Sequence, residues 1–265
     1  MRRTRICRFH FLGTASLLFA FVAAPAFGSQ GKVWVGRAQE FEDFLATGDI
    51  VSMKDLGEGR NKPKKVTLSK NGIELHGIWK PIERGRHDWA WETYQAEVVA
   101  YQFDQLLGLN MVPPTVVREI GEQKGSLQLW IEGGKLLKDV EDKAPETVAW
   151  ERQLNQMKSL DCLICNPDRH PGNIIVDADW NIILIDHSQC FLSRQDLEKD
   201  PKTIPTQFDR RLVEKLKVLG PASLRLHFHN YLMDRQVDAI LVRRDKLLAH
   251  IEKLIAEKGE EAVLY

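Results

Sequence analysis

An Asp, an Asn five positions after it and a second Asp at the end of an apolar run constrain this chain more than any other feature. The segment Asn166-Pro167-Asp168-Arg169-His170-Pro171-Gly172-Asn173 is followed by Ile182-Ile183-Leu184-Ile185-Asp186. Four successive aliphatic residues read as a short buried strand, which delivers Asp186 at its end. Asp and Asn also favour turns for local hydrogen-bonding reasons, so none of the three is informative singly. Their types, order and strand placement together carry the argument.

Such a set meets the needs of phosphoryl transfer, which asks a protein for positioning, charge neutralisation and a carboxylate near the attacking hydroxyl. In that chemistry Asp168 would take the hydroxyl proton. Asn173 and Asp186 would be ligands of Mg²⁺, with Mn²⁺ as the second choice, because a hard cation is held by oxygen donors together with substrate phosphates.

The chain opens Met1-Arg2-Arg3-Thr4-Arg5, continues through an apolar stretch from Phe11 to Ala24 and then offers small residues at Ala24, Ala26 and Gly28. Basic, apolar, small is the order of a secretory leader. Residues 1–28 are expected to be a signal peptide, cut after Ala26 or Gly28. An uncleaved anchor is the rival reading, but the stretch is short for a bilayer, which takes about twenty apolar residues. The expected destination is the periplasm, the extracellular space or a secretory-pathway lumen, with no stable membrane span in the mature chain. The 37 basic and 37 acidic residues balance, which argues against a general nucleic-acid binder. Lys62-Pro63-Lys64-Lys65 and Arg243-Arg244 read as solvated faces.

Cys162, Cys165 and Cys190 remain after processing. The first two have C-x-x-C spacing, but no second pair follows at zinc-site spacing. They read as small buried hydrophobes, with a structural or redox bridge as the alternative.

Along the chain, Phe41, Phe44 and Leu45 at helical spacing mark a short leading helix that ends near Asp49. Gly57-Glu58-Gly59 form a loop. Strands follow at Lys65–Leu68 and Ile73–Lys80, joined by Asn71-Gly72, where both residues accept the positive φ of a tight hairpin turn. Helical spacing from Trp91 to Leu107 stops near Gly108. Thr115–Val117 and Ser126–Ile131 resume as strands, and Gly133-Gly134 is the candidate hinge. From Glu146 the pattern is mostly helical, broken by the Asp168 loop and by strands at Asn173–Val176 and Asn181–Asp186. Three or more amphipathic helices then run to Glu257. The reading is an α+β chain of two lobes. Residues 29–134 form a small mixed-sheet N-terminal lobe with one main helix, and residues 135–265 a larger, mostly helical lobe.

Two further groups complete a phosphate-binding cleft. Lys80, at the end of a strand, would hold nucleotide phosphates, and Glu97 on the next helix would hold Lys80 by an ion pair. Gly57 and Gly59 would let backbone amides approach the phosphates, although Gly-x-Gly alone also reads as a surface turn.

Asp168-Arg169-His170-Pro171-Gly172-Asn173-Ile174 with Leu184-Ile185-Asp186 resembles the catalytic and metal loops of phosphatidylinositol 3- and 4-kinases. Ala96–Tyr101 through Leu107-Gly108-Leu109 to Val112-Pro113-Pro114-Thr115 resembles the small-lobe helix and following strand of secretory-pathway kinases of the Golgi casein kinase type. The protein-kinase signature H-R-D-x-x-x-x-N has the same Asp-to-Asn step, and Asp186-His187-Ser188 stands where that signature has D-F-G. The chain thus resembles the atypical kinases that also include HipA, from about Gly57 to Glu260.

The resemblance implies a bilobal protein-kinase-like fold that uses ATP and Mg²⁺, with Lys80 on phosphate, Glu97 supporting it, Asp168 catalytic, and Asn173 and Asp186 on metal. Glu92 is the alternative to Glu97, because both acids lie on the same expected helix. The implied activity is transfer of the γ-phosphoryl group to a hydroxyl of a protein, sugar or small molecule. A nucleotide- or metal-binding module without turnover and an AMP transferase stand as alternatives. His187-Ser188 in place of Phe-Gly and the lack of large accessory domains leave lipid specificity unsupported.

Overall fold

The computed structural model describes residues 32–57, 62–87, 90–197 and 203–265. The expected leader, residues 1–28, and Gly59 lie outside the described residues. In chain order the first elements are α1 (Ala38–Thr47), β1 (Asp49–Asp55), β2 (Lys64–Lys70), β3 (Ile73–Lys80), β4 (Gly85–His87), β5 (Ala90–Glu92), α2 (Tyr94–Leu107), β6 (Thr115–Ile120) and β7 (Gln123–Leu129). Five of the strands make one sheet in the order β1-β2-β3-β7-β6. Every pairing in it is antiparallel, a narrower result than the mixed sheet expected.

The β2–β3 hairpin turns at Asn71 and Gly72, with φ of 54° and 76°. Two positive φ values give the turn whose twist matches that of the flanking strands. This turn sets the register Lys70↔Ile73 and hence the faces of both strands. Val66, Leu68, Leu75, Trp79, Leu127 and Leu129 share one face and close a core with Trp34, Phe41 and Leu45. The period of two along a strand then turns Ile78, Lys80 and Gln128 to the other face.

Two elements depart from the sequence reading. Strand β1 occupies the segment expected to be only a helix end and a loop. It is an edge strand, solvent-exposed along nearly its whole length and bulged between Ile50 and Ser52, so it carries no alternating pattern. The second departure concerns the helix expected from Trp91: α2 begins at Tyr94, where the Thr93 hydroxyl accepts a hydrogen bond from the Gln95 amide. Trp91 and Glu92 belong instead to β5, paired with β4.

The remainder comprises β8 (Lys135–Leu136), α3 (Val148–Ile164), β9 (Ile174–Val176), β10 (Ile182–Leu184), α4 (Arg210–Val218), α5 (Pro221–Phe228), α6 (Asp234–Lys258) and α7 (Glu260–Val263). Strands β10, β9 and β8 form a second antiparallel sheet. Its two faces serve different purposes. Ile174, Val176, Ile182 and Leu184 point into a large core with α2 to α7, whereas Ile183 joins the core of the first sheet. This explains the unbroken aliphatic run that the sequence displays. Phe103, Phe191 and Phe228 meet in the large core at centroid separations of 6.3 and 6.0 Å.

The reading of Arg243 as a solvated residue is overturned. It is fully buried on α6, and its guanidinium donates to the Leu163 carbonyl from Nε at 2.9 Å and from Nη2 at 2.8 Å, and to the carbonyls of Leu192 and Arg194. A buried cation needs such partners. Among the described residues no helix is long and apolar enough to cross a membrane.

Candidate active site

Lys80 is the last residue of β3, opposite Ser126 on β7. Its strand end is held against β7 by the absence of a side chain at position 125: a Cβ there would stand 2.7 Å from the Lys80 carbonyl oxygen. Glu97 lies in the first turn of α2. The Lys80 ammonium donates to Glu97 Oε1 at 2.7 Å and to Asp186 Oδ1 at 2.9 Å. Glu92, the alternative acid, sits in β5 rather than on α2, and the α2 carboxylate that meets Lys80 is that of Glu97.

Burial alone would lower the Lys80 pKa, but the Asp186 and Glu97 carboxylates outweigh it and hold the ammonium above its ordinary value. Burial likewise opposes ionisation of Glu97, yet Lys80 and His187 hold its carboxyl well below the usual range. Opposite charges in contact thus keep each other ionised inside the protein.

The Asp168 loop is built from the end of α3. Cys165 caps that helix at φ 53°, and the Asn166 amide donates to Asp161 Oδ1 at 2.8 Å. The Asp168 amide donates back to Asn166 Oδ1 at 3.0 Å, and Gln189 Nε2 donates to Asp168 Oδ2 at 3.2 Å. Asn173 Nδ2 donates to the Asp168 carbonyl at 2.9 Å. With its nitrogen engaged, Asn173 keeps its Oδ1 for a cation. Asp186 follows β10 with φ 60°, in the left-handed region that Asp tolerates better than most residues. The donor set of Asp186 and Asn173 is oxygen only, which suits Mg²⁺ or Mn²⁺.

Arg169 is the residue that the sequence reading passed over. Nε donates to Asp161 Oδ2 at 2.9 Å, and Nη1 to the carbonyls of Asn173 and Ile185 at 2.7 and 3.1 Å. Nη2 reaches Asp161 Oδ1 at 3.1 Å and His187 Nε2 at 2.9 Å. Every N–H of the guanidinium therefore has an acceptor. One side chain ties the Asp168 loop to Asn173 and to the residue before Asp186. The only sequence signal for it was its place beside Asp168.

His187 extends this network. Arg169 cannot accept a hydrogen bond, so His187 Nε2 must, and the ring proton resides on Nδ1, 3.8 Å from Glu97 Oε2. The His187 amide donates to the same oxygen at 3.0 Å. Burial, with Arg169 adding to it, lowers the imidazole pKa.

Between the two sheets lies a cleft of about 470 Å³. Lys80, Asn173 and Asp186 line it, and Gln128 and Lys138 supply further polar groups. Its walls include Ile78, Leu129, Trp130, Ile175 and Ile185, and Leu56 and Pro63 contribute from the β1–β2 connection. Gly57 follows Leu56 at φ 70° with open space around it. Lys65 lies over the Trp130 ring, 4.2 Å from its centroid, a cation–π contact rather than a fully solvated charge. Cys162, Cys165 and Cys190 are all buried.

Comparison with known proteins bears on the fold that carries these residues. The family model "Phosphatidylinositol 3- and 4-kinase" matches residues 138–235. Protein Rv2133c of Mycobacterium tuberculosis (strain ATCC 25618 / H37Rv) is 28% identical, over 55% of this chain and 65% of its own. Phosphatidylinositol 4-kinase gamma 4 of Oryza sativa subsp. japonica is 26% identical, over 63% of this chain and 30% of its own. The chain therefore spans only part of these relatives. Among solved structures, the Golgi casein kinase with Mn/ADP bound superimposes with a TM-score of 0.63 at 18% identity, covering 86% of this chain and 78% of that one. The Helicobacter pylori proinflammatory kinase CtkA gives 0.51 at 15% identity, covering 82% and 97%. The antiparallel sheet, the cleft beneath it and the helical C-terminal region are those of the atypical protein-kinase-like fold, and this chain has that fold.

Proposed function

We propose that this chain is an exported kinase that transfers the γ-phosphoryl group of ATP to a hydroxyl of a protein, sugar or small molecule. The observation that carries the reading is the convergence of Lys80, Glu97 and Asp186 through contacts of 2.7 and 2.9 Å at a cleft that Asn173 also lines. A Golgi casein kinase of the same fold holds Mn and ADP, which supports a nucleotide and a divalent cation as the occupants. The basic, apolar, small order of residues 1–28 supports export.

In this reading Lys80 binds phosphate oxygens as a point charge, and Glu97 keeps it aimed into the cleft. Asp168, steadied by Gln189, accepts the proton of the acceptor hydroxyl. The hydroxyl oxygen then bonds to the γ-phosphorus as the bond to the β-γ bridging oxygen breaks, and ADP leaves. Asp186 and Asn173 Oδ1 would hold Mg²⁺, which when bound supplies charge neutralisation on the phosphates.

Calorimetric titration of the protein with ATP, with and without Mg²⁺, tests the reading. Metal-dependent binding is expected in the wild type and in Asp168→Ala, and a loss of at least about tenfold in Asp186→Ala. Transfer should vanish in both variants. Absence of Mg²⁺-dependent ATP binding in the folded protein would overturn the reading. An intact-mass shift of AMP rather than phosphate on the product would replace it with nucleotidyl transfer.

A further inference from the structure

Gln128 is a buried polar side chain of the cleft to which the phosphoryl-transfer reading gives no role. It is 7% exposed on β7, on the sheet face shared with Ile78 and Lys80. It lines the cleft beside Ile78 rather than beside Lys80, whose strand partner is Ser126, and directly before Leu129, Trp130 and Ile131.

The orientation of its amide follows from its neighbours. The Thr115 hydroxyl lies 2.8 Å from the Pro113 carbonyl oxygen. A carbonyl only accepts, so the single hydroxyl proton is committed to it, and Thr115 Oγ1 can only accept from Gln128. The group that faces it at 2.9 Å is therefore Nε2. This turns Oε1 away from Thr115. Among the described residues no donor is bonded to Oε1, and the residue borders the cleft. Turning the amide over would bring two oxygens together at Thr115 and strand a buried hydrogen bond.

We infer that Gln128, locked by Thr115 and Pro113, is a specificity residue that selects nucleotides whose purine carries a 6-amino group and rejects 6-oxopurines. The inference rests on the nucleotide-cleft reading above. The aliphatic walls at Ile78, Ile175 and Ile185 suit the faces of a flat heteroaromatic base, while a polar edge must be matched by a polar partner. Oε1 accepts a hydrogen bond from the 6-amino group of adenine. Hypoxanthine and guanine place a carbonyl oxygen at that edge, and two acceptors then meet in a desolvated site with no donor between them.

The test compares ATP with ITP, which exchanges the 6-amino group for an oxo group and leaves sugar and triphosphate unchanged. Calorimetry on the full chain with Mg²⁺ is run for both nucleotides and for inorganic tripolyphosphate. ITP should bind about 10- to 100-fold more weakly than ATP. Thr115→Val, which removes the hydroxyl and frees the amide to turn, should shrink that ratio to about threefold or less, as should Gln128→Leu; circular dichroism establishes that both variants are folded. Equal binding of ATP and ITP by the wild type overturns the assignment of Gln128 while leaving the nucleotide cleft intact. A full ATP preference retained in folded Thr115→Val overturns the locking of the amide. Failure of ATP, ITP and tripolyphosphate alike to bind overturns the nucleotide cleft itself, and this inference with it.

Discussion

Glu97 and Asp104 stand seven residues apart on α2, and the two carboxylates are 1% and 0% exposed, yet burial has opposite outcomes for them. At Asp104 burial prevails and pushes the pKa up to about 7, although the Met111 amide donates at 2.9 Å and the amides of Val112 and Asn110 and the charge of Lys32 oppose it. At Glu97 burial is outweighed by Lys80 in direct contact, with His187 adding to it. The difference is a full opposite charge at contact distance. Backbone dipoles satisfy a buried carboxylate geometrically, but an ammonium decides its ionisation. Glu97 is thereby fixed as an anion that aims Lys80, whereas Asp104 serves the turn that follows the helix.

The largest expected effect comes from breaking the Glu97 end. Lys80→Met leaves a buried carboxylate without its cation, and urea denaturation should show a loss of about 3–5 kcal/mol. A loss under about 1 kcal/mol would mean that Glu97 does not depend on Lys80 as described.

Next in size is a pH effect at the other end. The folded pKa of Asp104 lies above the ordinary value of 3.8, so the folded chain keeps a proton that the unfolded chain releases between pH 4 and about 7. Its contribution to stability is present at low pH and is lost as pH rises through that window, by up to about 4 kcal/mol. Glu97 has the opposite sign: its folded pKa is depressed, so its contribution is present above the unfolded value and is lost only as pH falls through the folded one. Denaturation at several pH values should show a smaller fall between pH 4 and 7 in Asp104→Asn than in the wild type. Identical slopes would show that Asp104 is ionised throughout, and the contrast with Glu97 would disappear.

Two smaller changes sharpen the comparison. Gly125→Ala drives a methyl against the Lys80 carbonyl and should cost about 1–3 kcal/mol while weakening MgATP binding in calorimetry. Thr93→Ala removes the α2 cap at the Glu97 end and should lower stability by about 1 kcal/mol. A thermal scan that separates neither variant from the wild type would show that the Glu97 end does not depend on these local supports.

The legible parts of the fold were those with a local cause. Asn71-Gly72 specified a hairpin because both residues accept positive φ, and the Ile182–Ile185 run signalled a buried strand by its unbroken aliphatic character. Strand β1 was not legible, since an exposed, bulged edge strand shows no alternation. Trp91 misled the reading of α2 because an aromatic residue at the right spacing fits either a helix or the short strand β5 that it occupies. Arg243 looked like a surface charge beside Arg244, and only the carbonyls of Leu163, Leu192 and Arg194, distant in sequence, explain its burial.

The sequence by itself determined which chemical groups are available: an ammonium at position 80, carboxylates at 97, 168 and 186, an amide at 173, and short elements whose periodicity points them inward. Residue type and local backbone preference act over a few residues, and both are written in the chain. Tertiary structure alone decided that Glu97 rather than Glu92 meets Lys80, that Arg169 unites Asp161, Asn173, Ile185 and His187, and that Thr115 orients Gln128. Contacts of this kind join residues far apart in the chain, 106 positions in the case of Lys80 and Asp186. Their geometry depends on how two sheets and a helix pack, which no local pattern encodes.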